Sequence, residues 1–299
     1  MKLYKHNLTQ RTWSKELSVH LCEEHADEFD EWWGSNKFNW IDASDMLAEF
    51  CYMHFDKWWS PEKYSWKSGT WALAEHCHKH FDKWWDSDKW NWEKASWALA
   101  KYCYEYFDVW WDREKFDWIG ASCILAKYCH KHFHKWWDSN KFNWENASNE
   151  LAQFCFDYFD RWWDQDRFNW VNASTELAQY CLEYFDVWWD PDRFNWENGS
   201  KELAQHCHRY FDKWWDPDKY NWIGGSVALS RYCYEYFHKW WDIQRFNFDD
   251  PDALTALLKY CCMYTDIWFF DYLRRYRLTK AVLHIADFEK LKLRCVLED

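Results

Sequence analysis

Apolar residues recur along most of this chain at the spacing of an amphipathic helix. Counted from Leu47, the large or apolar residues of one segment fall at offsets of three, four, seven, eight, eleven and twelve, ending at Trp58 and Trp59. This is the period of an α-helix rather than the two-residue alternation of a strand. The stripe covers about half of the helix circumference, so each helix is expected to contact neighbours on two sides.

The same pattern returns nine times at an interval of 26 residues, each time marked by two adjacent tryptophans. The pairs begin at Trp32, Trp58, Trp84, Trp110, Trp136, Trp162, Trp188, Trp214 and Trp240. A fixed period of this length is typical of stacked units that each pack against their neighbours. The sequence therefore predicts an all-α fold, an α-solenoid of about nine helix-pair repeats in one elongated domain, with one long and one short helix per repeat.

Capping signals predict where each helix starts. The short helix is expected in segments such as 190–196, where Asp190 can cap the free amides and Pro191 stands at the first helical position. The long helix is expected to start after a small residue and a serine, as at Ala43 and Ser44, and to continue to the tryptophan pair.

The two ends of the chain depart from the repeat, as expected of units that cover the outermost layers of a stack. Residues 1–33 are predicted to form an N-terminal cap with an irregular first repeat. Residues 34–241 are predicted to hold eight regular repeats rich in tryptophan. Residues 242–299 are predicted to hold a degenerate last repeat and a C-terminal helical cap.

Positions that do not vary between repeats are expected to serve packing, because every unit has to satisfy the same neighbours. One such column consists of Leu47, Leu73, Leu99, Leu125, Leu151, Leu177, Leu203 and Leu229. Another is the second tryptophan of each pair: Trp59, Trp85, Trp111, Trp137, Trp163, Trp189, Trp215 and Trp241. Both columns are predicted to form the structural core, since burial of a large ring stabilises a fold by about 1.5–3 kcal/mol.

Two charged columns are also nearly constant. The basic column is Lys37, Lys63, Lys89, Lys115, Lys141, Arg167, Arg193, Lys219 and Arg245, and the acidic column is Asp56, Asp82, Asp108, Asp160, Asp186 and Asp212. Matched rows of opposite charge are expected to form salt bridges within or between layers.

One column of large side chains varies and borders the apolar face. It comprises Tyr52, His78, Tyr104, His130, Phe156, Leu182, His208 and Tyr234. Variation on a constant framework allows a surface to discriminate between partners, so these are the predicted binding residues. A second variable column, polar in character, lies beside them: Glu49, Glu75, Lys101, Lys127, Gln153, Gln179, Gln205 and Arg231.

Charge and composition narrow the choice of partner. The formal net charge of -13 argues against nucleic acid or an anionic membrane as the main partner, since both attract a positive surface. No apolar run reaches the ~18 residues of a membrane span, and the first residues lack the core of a signal peptide. We therefore expect a cytoplasmic, intracellular protein that is not secreted, with the cysteine of each repeat buried and reduced.

Catalytic motifs are absent from the sequence: we find no Gly-rich phosphate loop, nucleophile elbow or His-Glu-x-x-His. An active site needs different groups that converge on one place, whereas a repeat array presents the same groups many times. We therefore expect no enzymatic activity, no cofactor and no metal site. The favoured function is a scaffold that binds another protein, or forms part of a larger assembly, through its variable helix surface.

Two alternative functions remain open from the sequence. An aromatic groove would bind a carbohydrate or another flat ligand. A metal-binding array would use histidines four residues apart on a helix, such as His76 with His80 and His130 with His134.

Overall fold

The computed structural model describes residues 12–34 and 36–275, with side chains up to residue 272. The described residues form helices and turns and contain no strand, so the predicted all-α fold is confirmed. Each 26-residue unit holds a long α-helix, a three-residue 3-10 turn and a short α-helix, in that order.

These three elements recur along the described part of the chain. The long helices are Lys15–His25, Trp40–Phe50, Trp66–His76, Trp92–Tyr102, Trp118–Tyr128, Trp144–Phe154, Trp170–Tyr180, Trp196–His206, Trp222–Tyr232 and Pro251–Tyr260. The 3-10 turns are Ala26–Glu28, Tyr52–His54, His78–His80, Tyr104–Tyr106, His130–His132, Phe156–Tyr158, Leu182–Tyr184, His208–Tyr210, Tyr234–Tyr236 and Cys262–Tyr264. The second helices are Phe29–Trp32, Phe55–Trp58, Phe81–Trp84, Phe107–Trp110, Phe133–Trp136, Phe159–Trp162, Phe185–Trp188, Phe211–Trp214, Phe237–Trp240 and, longer than the rest, Thr265–Arg275.

The chain divides into two compact units, residues 1–147 and 148–299. Within the first unit, the helix Trp40–Phe50 packs on Trp66–His76, and within the second, Trp196–His206 packs on Trp222–Tyr232. Each unit is a stack of repeats in the manner of an α-solenoid. The predicted caps are only partly covered, because residues 1–11 and 276–299 lie outside the described residues, and they stay a prediction.

The short helix does not lie where the sequence predicted it. The segment 190–195 is a turn, because the Asp190 carboxylate accepts hydrogen bonds from the amides of Asp192 and Arg193 at 3.0 and 3.3 Å. Asn195 then caps the following helix by accepting a hydrogen bond from the amide of Asn198 at 3.3 Å. The predicted position was wrong, and the short helix of each repeat instead ends at the first tryptophan of the pair.

The long helix also begins earlier than predicted. One helix starts at Trp170 rather than after Ser174, because Asn169 accepts a hydrogen bond from the amide of Asn172 at 3.2 Å and so caps the helix. In the helix Trp40–Phe50, Ala43 forms a kink with φ -140° and ψ 16°, and the longer helical segment begins at Ser44. The small residue and serine that resembled a helix start therefore belong to the buried face of the helix.

A buried indole determines where the long helix ends. Trp58 Nε1 donates a hydrogen bond to the carbonyl oxygen of Cys51 at 2.8 Å, and Trp240 and Cys233 make the same bond in a later repeat. The backbone leaves the α-helical region at Cys51, where φ is -109° and ψ is 21°. A buried indole N–H needs an acceptor, so this bond keeps the chain in a 3-10 turn that returns Trp58 toward the helix it has just left.

A buried serine hydroxyl joins most of the described repeats to the next. Ser174 donates a hydrogen bond to the carbonyl oxygen of Trp170 and accepts one from the amide of Asn195, in the following repeat, at 3.1 Å. Other serines that accept a bond from the next repeat are Ser18, Ser44, Ser96, Ser122, Ser148, Ser200 and Ser226. One hydroxyl thus satisfies buried backbone groups of two layers.

Rings and thiols fill the rest of each interface between repeats. Phe55 stacks on His80 of the next repeat at 4.4 Å, and on Trp59 of its own repeat at 5.3 Å. The Cys77 thiol lies 3.8 Å from the carbonyl oxygen of Ala48 in the preceding repeat. Burial raises the pKa of Cys77 to about 12, so the thiol keeps its proton and acts as a weak donor in the core.

We predict that the change Ser174→Ala lowers the free energy of unfolding by about 1–3 kcal/mol, because the amide of Asn195 loses its buried acceptor. Urea unfolding followed by circular dichroism measures this change. Asn172→Ala is the matched control: this residue is exposed on the same helix, and its replacement is expected to cost less than about 0.5 kcal/mol. Equal effects of the two changes would contradict the role assigned to the serine.

Candidate recognition surface

The structure places the predicted packing residues at different depths. The eight leucines of the constant column, from Leu47 to Leu229, are completely buried. The second tryptophans, from Trp59 to Trp241, lie half-buried against the phenylalanine of their own repeat. The first tryptophan of each pair is the fully buried one, with Trp58 only 1% exposed. Sequence comparison of the repeats does not separate the two, because both columns are equally constant.

Every predicted binding residue is the first residue of a 3-10 turn. The turn follows directly from the end of the long helix, so it presents its first two side chains outward in each repeat. Tyr52 and Tyr104 are each 44% exposed in the first unit, and Phe156 and Tyr234 are 39% and 37% exposed in the second. The remaining members, His78, His130, Leu182 and His208, are half-buried.

These residues form one stripe in each unit. The first-unit stripe is Tyr52, His78, Tyr104 and His130, and the second-unit stripe is Phe156, Leu182, His208 and Tyr234. Within each stripe the side chains project from equivalent positions of successive repeats, because the backbone of the turn repeats with them. The backbone thus keeps the spacing constant while the chemistry of the side chains changes.

The residue that follows each stripe residue is exposed and changes with it. A histidine in the stripe is followed by a cation, in the pairs His78-Lys79, His130-Lys131 and His208-Arg209. A tyrosine, phenylalanine or leucine is followed by an acid, in the pairs Tyr104-Glu105, Phe156-Asp157, Leu182-Glu183 and Tyr234-Glu235. Tyr52 is followed by Met53, which is 78% exposed. Sequence reasoning missed this second column, since only the turn geometry shows that both residues face solvent.

The stripe histidines share one ring orientation. The Nδ1 atom of His78 lies 3.1 Å from the carbonyl oxygen of Glu75, and the Nδ1 atom of His130 lies 3.0 Å from the carbonyl oxygen of Lys127. A carbonyl oxygen only accepts, so Nδ1 carries the hydrogen and donates it. With the hydrogen on Nδ1, the Nε2 atom is left as an acceptor.

The neighbouring polar column is partly occupied by contacts between repeats. The Tyr102 hydroxyl donates a hydrogen bond to Glu75 of the preceding repeat at 2.5 Å, and Gln153 donates to the Tyr180 hydroxyl at 3.0 Å. These side chains help to hold adjacent layers, which leaves the stripes as the more accessible of the two variable columns.

The two charged columns form ion pairs, but not with each other. Asp56 pairs with Lys83 of the next repeat at 2.5 Å, and Lys115 of the basic column pairs with Asp88 of the preceding repeat at 3.0 Å. Each column therefore has its own partner column on a neighbouring layer. Some members of the acidic column face a valine instead of a lysine. Val109 stands in the partner position of Asp82 and is 61% exposed.

The described residues give no sign of a metal site or a membrane span. Among the described residues, no group of three or more histidine, cysteine or acidic side chains is placed to hold a metal ion. Within the same residues, no helix is long and apolar enough to cross a membrane. Comparison of the chain with protein-family models, with curated proteins and with solved structures gives no match in any of the three. The interpretation of the surface therefore depends on its geometry.

We predict that the Asp56–Lys83 pair makes stability depend on pH. The hydrogen bond from Lys83, together with its charge, holds the pKa of Asp56 below its ordinary value of 3.8. A folded-state pKa below the unfolded value stabilises the fold above about pH 4, and this contribution is lost as the pH falls through the folded-state pKa. Lys83→Met should therefore raise the pKa of Asp56, measured by NMR titration, and should reduce the fall in melting temperature between pH 6 and pH 3.

The control for this measurement is Lys131→Met. Lys131 is exposed and forms no ion pair with any described residue. Its replacement should leave the titration of Asp56 unchanged. A pKa for Asp56 that is the same in the Lys83 variant and in the unaltered protein would show that the pair does not form in solution.

Proposed function

We propose that this chain is a non-enzymatic scaffold that binds another protein, or forms part of a larger assembly, through the first-unit and second-unit stripes. The observation that carries the proposal is the contrast between two kinds of position. Leucines, serines and tryptophans at the interfaces between repeats stay constant, while the exposed residues of the turns change from repeat to repeat. Variation at the turns does not disturb packing, so it can encode the choice of partner.

The chemistry of the stripes suits a polypeptide partner. Tyrosine presents a large apolar body with a polar tip and is enriched at protein interfaces. The second exposed residue of the turn differs in sign between repeats, and in the first unit it changes from Lys79 to Glu105 to Lys131. A partner with charges of both signs complements such a surface better than a polyanion does, since like charges repel at half of the positions.

The two alternative functions have weaker support. No tryptophan among the described residues is fully exposed, so the repeats do not present a continuous row of open rings. Many indole N–H groups are already bonded within the protein, as in Trp66, which donates to the carbonyl oxygen of Pro61 at 2.9 Å. The histidine array likewise lacks a grouped set of ligands within the described residues.

The proposal is tested with two matched variants of the full chain. The stripe variant replaces four exposed apolar residues of the turns with alanine: Tyr52, Tyr104, Phe156 and Tyr234. The control variant replaces four exposed apolar residues at the starts of long helices with alanine: Ile41, Ile119, Val171 and Ile223, which are 70–82% exposed. Proteins that co-purify with each variant from the cells of origin after cross-linking are quantified by mass spectrometry.

We expect the amount of one specific co-purified protein to fall at least tenfold in the stripe variant and to be retained in the control variant. Sedimentation of the purified chain at rising concentration tests whether the chain assembles with itself. If self-association is abolished only in the stripe variant, the partner is a second copy of the chain. Equal capture and equal mass in both variants, or loss confined to the control variant, would place recognition elsewhere.

A further inference from the structure

The repeat of residues 60–85 departs from the other regular repeats at one place. Ser65 stands where the others have asparagine or aspartate, and Thr70 stands where they have serine. Among the regular repeats, Lys67 is the only cation in its column. In the following repeat, Lys94 is likewise the only cation in its own column. All regular repeats face similar neighbours, so packing alone does not account for several departures that occur together.

These four residues line a single cleft of about 460 Å³ in the first unit. The lysines supply the cationic groups of the cleft, and both are exposed. The indole of Trp71, half-buried, supplies a flat apolar wall. Trp71 occupies a column in which only the next repeat also has a tryptophan.

The two lysines of the cleft carry charges that the protein itself does not neutralise. Neither Lys67 nor Lys94 forms an ion pair with any described residue, whereas lysines such as Lys83 and Lys115 are paired across the interfaces between repeats. Asp42 lies in the same cleft and pairs its carboxylate with the Asn39 amide at 3.2 Å. Two cations and one anion leave the cleft with a net positive charge, on a chain whose formal net charge is -13.

Hydroxyl groups complete the polar part of the cleft. The hydroxyls of Ser65 and Ser68 lie 2.9 Å apart, so one of them donates to the other and the second keeps its hydrogen for another acceptor. Ser65 also lacks the helix-capping bond of its counterparts in other repeats. Asn39 and Asn91 cap their helices through the side chain, and Ser65 does not. A position beside a cleft that gives up a local stabilising bond is where a functional site is expected.

We propose that this cleft binds a small organic phosphate, with the phosphate group between Lys67 and Lys94 and a flat apolar body against Trp71. Each ammonium group offers three donors to phosphate oxygens, and hydrogen bonds between charged groups are the stronger kind. The flat face of an indole accepts a ring in stacked or edge-to-face contact. The proposal is independent of the stripes, which lie on the 3-10 turns.

Isothermal titration with phenyl phosphate at low ionic strength tests the proposal. Lys67→Glu and Lys94→Asn remove the cations and introduce residues that other repeats carry in the same columns, Glu93 and Asn146, so the fold is expected to accept them. Each change should weaken binding at least tenfold. Lys79→Glu is the control, because Lys79 is exposed, unpaired and outside the cleft, and the next repeat has Glu105 in its column. The control should change affinity less than twofold.

Inorganic phosphate and the change Trp71→Asn test the apolar wall. Asn149 occupies the column of Trp71 in a later repeat, so this exchange is again one that the array carries elsewhere. Trp71→Asn should weaken the binding of phenyl phosphate at least fivefold and leave the affinity for inorganic phosphate unchanged. Absence of binding to the unaltered chain, or equal weakening by Lys79→Glu and Lys67→Glu, would overturn the site, and equal affinity for both phosphates would overturn the contact with the ring. Circular dichroism confirms that each variant is folded.

Discussion

The hydrogen bond from a buried indole to the carbonyl oxygen at the end of the long helix is the interaction on which the rest of the repeat depends. In Trp58 it holds the Cys51 carbonyl at 2.8 Å while the ring is almost completely buried. Because a buried N–H without an acceptor is costly, the backbone has to turn at this residue. The 3-10 turn that results is the element on which the stripe residues lie. The core and the surface of each repeat are therefore linked through one bond.

The interfaces between repeats explain why so few positions are free to vary. Ser174 bonds to two layers through one hydroxyl, and Phe55 stacks on rings from two repeats. A change at such a position affects two layers at once, whereas a change at Tyr104 affects neither interface in a comparable way. Packing thus confines diversity to positions outside the buried interfaces, among them the turns, the starts of the long helices and the cleft beside Lys67 and Lys94.

Ion pairs, like the buried contacts, join adjacent repeats. Rows of ion pairs such as Lys83 with Asp56 occupy many cations in contacts between adjacent layers. The exposed pairs contribute modestly to stability. Cations outside these rows, among them Lys79 beside the first-unit stripe and Lys67 in the cleft, are the ones available to a ligand or partner.

The sequence by itself determined the all-α fold, the 26-residue unit and the division into constant and variable columns, because periodic burial leaves a periodic record in residue type. It placed the stripe residues in one column but not on a turn, since helical periodicity continues across the break at Cys51. It also read Ser174 as the start of a helix, because a buried serine between layers and a capping serine look identical in a sequence. Only the tertiary structure decided which tryptophan of each pair is fully buried, which charged columns pair and which departures from the repeat meet in one cleft. Each of these depends on contacts between residues that are 21 to 29 positions apart or on the direction of a turn, and neither is encoded by local pattern alone.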